Sequence, residues 1–300
     1  MALFTGAGVA LITPFNEAGE VNYDEYRRLI KFQIDNGIDA IVSCGTTGEA
    51  STLSDEEHTA VVRAAVDYTK EASPPGKKIP VIAGAGSNDT RHAAELCREL
   101  ENAGADACML VTPYYNKTSQ KGLVEHFSAV ASAVKIPIVL YNIPGRTGMN
   151  IKPQTMKTLS EIDNIVAVKE ASYDFVQATE IALLCGDALA VYSGCDEIIV
   201  PMLSVGGLGV ISTVANIAPR RVHDMVKMFL DGDAKGSAKV QIEMLPLIRA
   251  LFADINPMPV KAALNLMGFK AGKCRLPLTN IDDDCCRELQ KQMQAYGLIA

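Results

Sequence analysis

Eight short runs of apolar residues alternate along the chain with longer stretches in which apolar residues recur at helical spacing. The short runs are rich in β-branched residues and are nearly continuous in apolar residues rather than alternating. That pattern is typical of strands buried on both faces of a parallel sheet. The eight runs are Gly8–Pro14, Ala40–Thr46, Pro80–Ala85, Ala107–Thr112, Pro137–Asn142, Ile165–Lys169, Leu189–Ser193 and Gly207–Thr213.

The stretches between these runs predict amphipathic helices. Asn22–Asn36 places its apolar side chains on one stripe, as a helix packed on a core requires. Ser54–Lys70 begins with Ser54 and has Glu57 three residues later, the pattern of a capping box. Further helices are predicted at Asn88–Asn102, Ser119–Val134, Ala234–Phe252 and Asp282–Tyr296.

Eight strands followed by helices predict an α/β protein built as a (β/α)8 TIM barrel, a fold of about 250 residues. The structural alternative is a doubly wound sheet, which usually has about five or six strands and a glycine fingerprint after the first. Here the first run ends in Thr13-Pro14, which favours the barrel. We expect barrel strands and helices in residues 1–217, and the last barrel helix with a C-terminal helical extension in 218–300.

Composition and charge narrow the classes of function. The chain is 48% hydrophobic and 21% charged, so it can bury a sizeable core, and its net charge is −7. An acidic balance argues against a nucleic-acid partner and against an anionic membrane surface. No apolar run reaches the roughly 18 residues of a membrane span, and the N-terminus lacks the pattern of a signal peptide.

The eight cysteines include no C-x-x-C pair, and most lie inside apolar runs. Free cysteine in such surroundings behaves as a small hydrophobic residue. We therefore expect reduced thiols in a cytoplasmic protein.

The carboxyl ends of the predicted strands are where a (β/α)8 barrel carries its chemistry. Lys169 ends the sixth run, directly after four apolar residues. An ammonium near an apolar barrel mouth loses hydration, which favours the neutral amine, and a neutral amine can attack a ketone to form an imine. Taken alone, a lysine that simply reaches solvent from a strand end is the commoner explanation.

Other strand ends carry groups suited to a carboxylate or to proton transfer. The loop at 45–49 (GTTGE) offers hydroxyls and backbone N–H groups just before a helix, which suits a carboxylate. Tyr141 could relay a proton, and the guanidinium of Arg146 could bind a carboxylate with two hydrogen bonds. Each has an ordinary alternative: a turn, a structural tyrosine or a solvated charge.

Motifs for nucleotides and metals are incomplete in this chain. Gly84-Ala85-Gly86 is a fragment of a dinucleotide fingerprint, and 268–273 (GFKAGK) lacks a spacer residue and the Ser/Thr of a P-loop. The four histidines show no zinc spacing. We therefore expect no nucleotide, no metal and no separate cofactor.

Five motifs follow one another in order at the predicted strand ends: GTTGE at 45–49, VTPYYN at 111–116, YNIPGRTG at 141–148, VKEAS at 168–172 and GVISTVAN at 209–216. Through them, and over nearly its whole length, the chain resembles the dihydrodipicolinate synthase (4-hydroxy-tetrahydrodipicolinate synthase) branch of the pyruvate-dependent N-acetylneuraminate lyase family. Five motifs in this order form a highly specific pattern, which outweighs the ordinary explanations above.

The resemblance implies a class I condensation of pyruvate with L-aspartate 4-semialdehyde to give 4-hydroxy-tetrahydrodipicolinate, on the route to diaminopimelate and lysine. Thr46-Thr47 stands where the sialic-acid lyases typically have Ser-Thr, and those lyases usually lack an arginine matching Arg146. The alternative is another pyruvate-dependent aldolase of the family, acting on a keto-deoxy sugar acid or 4-hydroxy-2-oxoglutarate. A catalytically idle barrel is a further alternative, which the retained catalytic side chains disfavour.

The resemblance also implies catalytic roles. Lys169 would form the Schiff base, and Tyr141 would relay protons during imine formation and cyclisation. Thr46 would link Tyr141 to Tyr115, which the neighbouring subunit of a tight dimer would supply. Two such dimers would form a homotetramer.

Five residues would contact the substrates. Thr47, with Thr46, would hold the pyruvate carboxylate, and Arg146 would position the semialdehyde. Gly194 and Ile211 would line the pocket through their backbone.

A feedback site for lysine lies at the dimer interface in the lysine-inhibited members of the family. His92 replaces a glutamate that holds the amino group of the effector, and Asp55 replaces a frequent histidine. Because a histidine cannot supply that fixed negative charge, we expect little inhibition at sub-millimolar lysine. The matching positions are Ala50, Ser51, Asp55, His58, Asn88, His92 and Tyr114.

Overall fold

The computed structural model describes residues 2–300, in which eight parallel strands close into a barrel. Each strand pairs with the next along the chain, and the last pairs with the first. The predicted (β/α)8 fold is therefore confirmed. The strands are β1 (Gly6–Ala10), β2 (Ala40–Ser43), β3 (Val81–Gly84), β4 (Ala107–Val111), β5 (Ile138–Asn142), β6 (Ile165–Glu170), β7 (Ala190–Ser193) and β8 (Gly209–Ser212).

Strand β1 begins and ends earlier than the predicted run Gly8–Pro14. The Leu11 N–H still donates to the Val42 carbonyl of β2 at 3.0 Å, and beyond it the chain turns to other partners. The Ile12 N–H donates to Asn216 Oδ1 at 3.1 Å, and the Thr13 hydroxyl donates to the Gly48 carbonyl at 2.7 Å. Apolar content alone does not mark this end, because these residues stay buried after they leave the sheet.

Helices surround the barrel and extend beyond it. The capping box at Ser54 is confirmed, because Ser54 Oγ accepts from the Glu57 N–H and the Glu57 carboxylate accepts from the Ser54 N–H. The helices are α1 (Tyr23–Asp35), α2 (Asp55–Ala72), α3 (Thr90–Asn102), α4 (Gln120–Ala131), α5 (Pro144–Thr147), α6 (Pro153–Leu159), α7 (Phe175–Cys185), α8 (Ile199–Ser204), α9 (Pro219–Leu230), α10 (Ala234–Leu251), α11 (Met258–Leu266) and α12 (Asp283–Ala295).

The C-terminal extension comprises α10, α11 and α12, of which α11 was not predicted. Helix α10 packs against α9, and α12 packs against both α10 and α11. The segment after α11 returns to the barrel, where Arg275 donates to the Thr52 carbonyl at 2.7 Å and to the Glu57 carboxylate. The extension therefore reaches the loop that follows β2.

The core has two layers, one between the strands and the helices and one inside the barrel. The inner layer includes Tyr141, Tyr192 and Ile211. Near the amino end of β1, the Tyr192 ring stacks on Phe4, with 4.3 Å between ring centroids. The barrel interior is thus filled with side chains, and its carboxyl-end mouth remains for chemistry.

Candidate active site

Lys169 lies near the carboxyl end of β6 and is buried, with 6% of its surface exposed. Its Nζ atom lies 4.3 Å from the centre of the Tyr141 ring. Burial lowers the pKa of Lys169 to about 8, and the nearby Arg146 charge acts in the same direction, whereas Asp196 opposes it. The amine is therefore neutral in a substantial fraction of molecules near pH 8, as a nucleophile requires.

Tyr141 is the register partner of Lys169 on the neighbouring strand β5. Burial raises the pKa of the Tyr141 phenol to about 12, while the charge of Arg146 and a hydrogen bond with Thr46 act against the shift. The phenol is therefore protonated at neutral pH. A protonated hydroxyl beside the amine can both give and take back a proton.

Glu170 follows Lys169 on β6 but belongs to a separate buried network on the other side of the strand. Its carboxylate accepts from Asn142 Nδ2 at 2.9 Å and from the Ser172 N–H at 2.8 Å. Asn142 follows Tyr141 on β5, so the two residues beside Lys169 and Tyr141 tie these strands together.

The loop at 45–49 lies at the carboxyl end of β2. Thr46 is exposed and borders a cavity together with Tyr141 and Arg146. Thr47 is buried, and its hydroxyl oxygen accepts a hydrogen bond from Asn256 Nδ2 at 2.9 Å. Because that oxygen accepts, the hydroxyl proton of Thr47 is free to be donated to an anion.

Arg146 lies in the short helix α5, which begins at Pro144 directly after β5. Its guanidinium donates to the backbone carbonyl of Asn256 at 3.4 Å and is otherwise exposed toward the cavity. The arrangement leaves N–H groups for an anionic ligand.

Gly194 and Ile211 complete the surroundings of Lys169. A Cβ atom at Gly194 would lie 2.7 Å from Ala171 Cβ and 3.1 Å from Lys169 Cγ, so a side chain has no room there. Ile211 lies on β8, buried in the inner layer that also contains Tyr141. The structure thus brings seven of the eight predicted catalytic and substrate-binding residues, all except Tyr115, to the barrel site.

Asp196 was missed by the sequence reasoning. It is 3% exposed, and its Oδ2 atom accepts from the N–H groups of Thr213 and Val214 at 2.9 and 3.0 Å. Burial raises its pKa, while Lys169 opposes the shift. Its place two residues after Gly194, at a strand end, is the signal that could have identified it.

Asn256 was also missed, and it links Thr47 to Arg146 through its side chain and its carbonyl. It lies in the C-terminal extension, between α10 and α11. No local motif surrounds it, so no sequence signal pointed to it.

Tyr115 is not brought to Thr46 within one chain. It lies in the loop after β4, is 93% exposed and has a positive φ of 69°. Such a backbone conformation is uncommon for a bulky residue, and it persists only where the surroundings impose it.

The predicted feedback residues border the same cavity, which has a volume of about 430 Å³. Asp55 lies in it as well: its carboxylate oxygens are each 3.2 Å from His92 Nε2, and His92 Nδ1 is 3.1 Å from Ser87 Oγ. The cavity therefore contains a carboxylate, that of Asp55, but His92 is already paired with it. His58, Ala50, Ser51 and Tyr114 line this cavity, and Asn88 donates to the Tyr114 carbonyl.

Among residues 2–300, no cluster of three or more His, Cys, Asp or Glu side chains is arranged to hold a metal ion. Over the same range, no helix is both long and apolar enough to cross a bilayer.

Comparisons with known proteins agree with the family resemblance and the fold. Residues 3–296 match the model of the dihydrodipicolinate synthetase family. The 4-hydroxy-tetrahydrodipicolinate synthase of Lachnoclostridium phytofermentans is 56% identical over 300 residues, covering 100% of both chains. DHDPS from Cyanidioschyzon merolae, solved with lysine bound, has a TM-score of 0.95 at 39% identity and 100% coverage of both chains. Dihydrodipicolinate synthase from Acinetobacter baumannii, solved with pyruvate, has a TM-score of 0.94 at 39% identity, covering 98% of this chain and 99% of that one.

Proposed function

The chain belongs to the dihydrodipicolinate synthetase family, and on that premise we propose that it condenses pyruvate with L-aspartate 4-semialdehyde to give 4-hydroxy-tetrahydrodipicolinate. It is a lyase, and this product lies on the route to diaminopimelate and lysine. The observation that carries the proposal is Lys169, a buried amine with a lowered pKa against the Tyr141 ring.

The first half of the reaction uses pyruvate. The neutral amine of Lys169 attacks the pyruvate ketone, and the resulting carbinolamine loses water to give an iminium ion. Tyr141 supplies and recovers the protons, with Thr46 as the next hydroxyl in the relay. The loop at 45–49 binds the carboxylate through Thr46 and Thr47. No cofactor beyond the covalent imine takes part in this scheme.

The second half uses the semialdehyde. Loss of a methyl proton from the iminium gives an enamine, whose carbon attacks the aldehyde carbon of the second substrate. Arg146 binds the carboxylate of that substrate. The substrate amine then attacks the imine carbon and displaces the Lys169 amine, which closes the ring and frees the enzyme. Gly194 and Ile211 border this space through their backbone.

The proposal includes a homotetramer made of two tight dimers, in which Tyr115 of one subunit completes the relay of its neighbour. The exposed Tyr115 supports the first interface. The apolar surface of α7 supports a second one, because Val176 and Leu183 are 78% and 80% exposed. Cytoplasmic location also remains part of the proposal, supported by eight free cysteines.

Borohydride trapping tests the chemistry. Incubation with pyruvate and borohydride should reduce the imine and leave a stable adduct on Lys169, which mass spectrometry of peptides locates. Omission of pyruvate is the control. An adduct on a different lysine, or none, would refute the assignment.

A coupled assay tests the second substrate. With pyruvate present, aspartate 4-semialdehyde should be consumed faster than other aldehydes, including acceptors of keto-deoxy sugar acid and 4-hydroxy-2-oxoglutarate aldolases. Preference for one of those acceptors would identify the chain as another aldolase of the family.

A further inference from the structure

Lys261 of α11 and Glu49 of the loop after β2 form a buried ion pair. The Lys261 Nζ atom lies 2.7 Å from Glu49 Oε1, and the two side chains are 2% and 1% exposed. The same Nζ atom donates to the Lys273 carbonyl at 3.0 Å and lies 4.2 Å from the centre of the Phe15 ring. A buried pair is weak evidence for stability, because well-packed apolar replacements are often as stable. The role of this pair follows from the backbone segment that it holds in place.

The ion pair holds a residue with an unusual backbone. Glu49 has a φ of +54°, in the left-handed region that residues with a Cβ rarely adopt. Its second carboxylate oxygen accepts from the Arg275 N–H at 2.9 Å, so both oxygens are engaged. Its own N–H donates to the Thr46 carbonyl at 3.1 Å. The side-chain anchor therefore stabilises the turn that presents Thr46.

The rest of the loop is held by separate contacts. Thr13 Oγ1 donates to the Gly48 carbonyl at 2.7 Å, and Asn256 donates to Thr47 at 2.9 Å. The C-terminal extension thus contacts the loop at Thr47 and at Glu49, and only the contact at Glu49 is an ion pair.

We propose that Lys261 is a positioning residue for pyruvate, acting through Glu49. The ion pair holds the turn in which Thr46 and Thr47 face the mouth of the barrel. It also neutralises a carboxylate three residues from Thr46, which would otherwise repel the carboxylate of pyruvate. Lys261 itself touches no substrate. This inference rests on the proposed function, because it assigns the loop to the pyruvate carboxylate.

The test is the substitution Lys261→Met, with pyruvate affinity measured by borohydride trapping at increasing pyruvate concentration. Half-saturation should require about tenfold more pyruvate, the loss expected when a hydrogen bond to a charged group is weakened. The kcat at saturating pyruvate should fall much less, because Lys169 and Tyr141 are unchanged.

Glu25→Ala is the matched control. Glu25 is also buried, and its carboxylate accepts from the Lys270 N–H at 2.8 Å, so it holds the same C-terminal segment without contacting the loop. This variant should lose thermal stability while keeping the pyruvate affinity of the wild type. An equal loss of pyruvate affinity in both variants at similar Tm would overturn the proposal.

Two milder variants cover the case in which Lys261→Met does not fold. Glu49→Gln keeps the shape of the side chain, and Glu49→Gln with Lys261→Met removes both charges, so that neither is left buried alone. Both variants lack the Glu49 carboxylate, so repulsion of pyruvate plays no part in them, and both should still show a rise in half-saturating pyruvate from loss of the anchored turn. Wild-type affinity in either folded variant would reject the positioning role, whereas absence of a pyruvate adduct in the wild type would reject the proposed function itself.

Discussion

At the scale of single residues, burial acts on Lys169 and Tyr141 in ways that suit their proposed roles. Loss of hydration disfavours the charged form of each group, so it lowers the pKa of the amine to about 8 and raises that of the phenol to about 12. The result is an amine that can be neutral and a phenol that keeps its proton, side by side at the mouth of one barrel.

The rate of imine formation should therefore depend on pH through Lys169. Below its pKa the ammonium dominates and cannot attack, so the rate should rise as pH increases and level off above about pH 8. Tyr141 should add no second inflection below that of its own pKa, about 12. Stopped-flow trapping with pyruvate across this range measures the profile. A rate that keeps rising tenfold per pH unit to pH 10, with its midpoint near that of free lysine at about 10.4, would contradict a lowered pKa.

Arg146→Ala should mainly weaken use of the semialdehyde. The guanidinium lies at the cavity, anchored on the Asn256 carbonyl, and a hydrogen bond to a charged group is worth about 1.5–3 kcal/mol. The kcat/KM for the semialdehyde should fall at least about tenfold, while pyruvate trapping stays near the wild-type level. Arg146→Lys, which keeps the charge without the planar fork, should be intermediate. A change confined to the pyruvate KM would show that the role is wrong.

At the scale of elements, the carboxyl ends of the strands concentrate both chemistry and unusual backbone. The non-glycine residues of positive φ that the structure describes are Cys44, Glu49, Tyr115 and Tyr173, and they follow β2, β4 and β6. Conformations of this kind persist where the surroundings impose them. All four therefore lie at the end of the barrel that also carries Lys169 and Tyr141.

The first turns of α2 and α3 also bring Asp55 and His92 together, which bears on inhibition by lysine. The relative from Cyanidioschyzon merolae was solved with lysine bound. In this chain Asp55 is the only acidic residue that we assign to the cavity, and its carboxylate already lies 3.2 Å from His92 Nε2. A lysine ammonium must compete for that carboxylate.

We therefore predict little inhibition at sub-millimolar lysine and stronger inhibition in His92→Glu. The new carboxylate should lower the midpoint by about ten- to hundredfold, since a hydrogen bond to a charged group contributes about 1.5–3 kcal/mol. Inhibition curves of both proteins measure this, with His92→Gln as the uncharged control. A wild-type midpoint far below one millimolar would mean that Asp55 serves the effector despite His92.

At the scale of the whole molecule, one chain leaves the proposed proton relay incomplete. Tyr115 is 93% exposed and has a positive φ of 69°. A closed two-fold dimer would place the same loop of each chain against the other, so that each site is completed in trans. The dimer is then the smallest unit that contains a complete site.

Mixing two inactive variants tests this arrangement. Lys169→Met and Tyr115→Phe homodimers should both have low activity, because each site lacks one group. After the two variants are unfolded and refolded together, each hybrid dimer should contain one complete site, and random pairing should restore about a quarter of the wild-type activity. Tyr114→Phe in place of Tyr115→Phe is the control. No recovery in hybrids whose formation is verified by mass spectrometry would place Tyr115 outside the partner's site.

Local pattern was sufficient to predict the barrel, and five motifs were sufficient to identify the family. Strands buried on both faces are apolar throughout, and a parallel barrel places all their carboxyl ends at one rim, so Lys169, Tyr141 and Arg146 could be grouped before any coordinates. The exact ends of β1 could not be predicted, because residues 11–13 remain buried where the chain leaves the sheet.

Only the tertiary structure revealed the contacts that link distant parts of the chain. Asn256 reaches Thr47 across 209 positions, and Lys261 reaches Glu49 across 212. Hydrophobic periodicity shows which face of a segment is buried over a few turns, but it does not show which other segment packs against that face. The sequence by itself determined the eight strands, six of the helices and the candidate lysine, whereas barrel closure and the return of the C-terminal extension decided which side chains support the loop. Those partners meet only when the whole chain has packed.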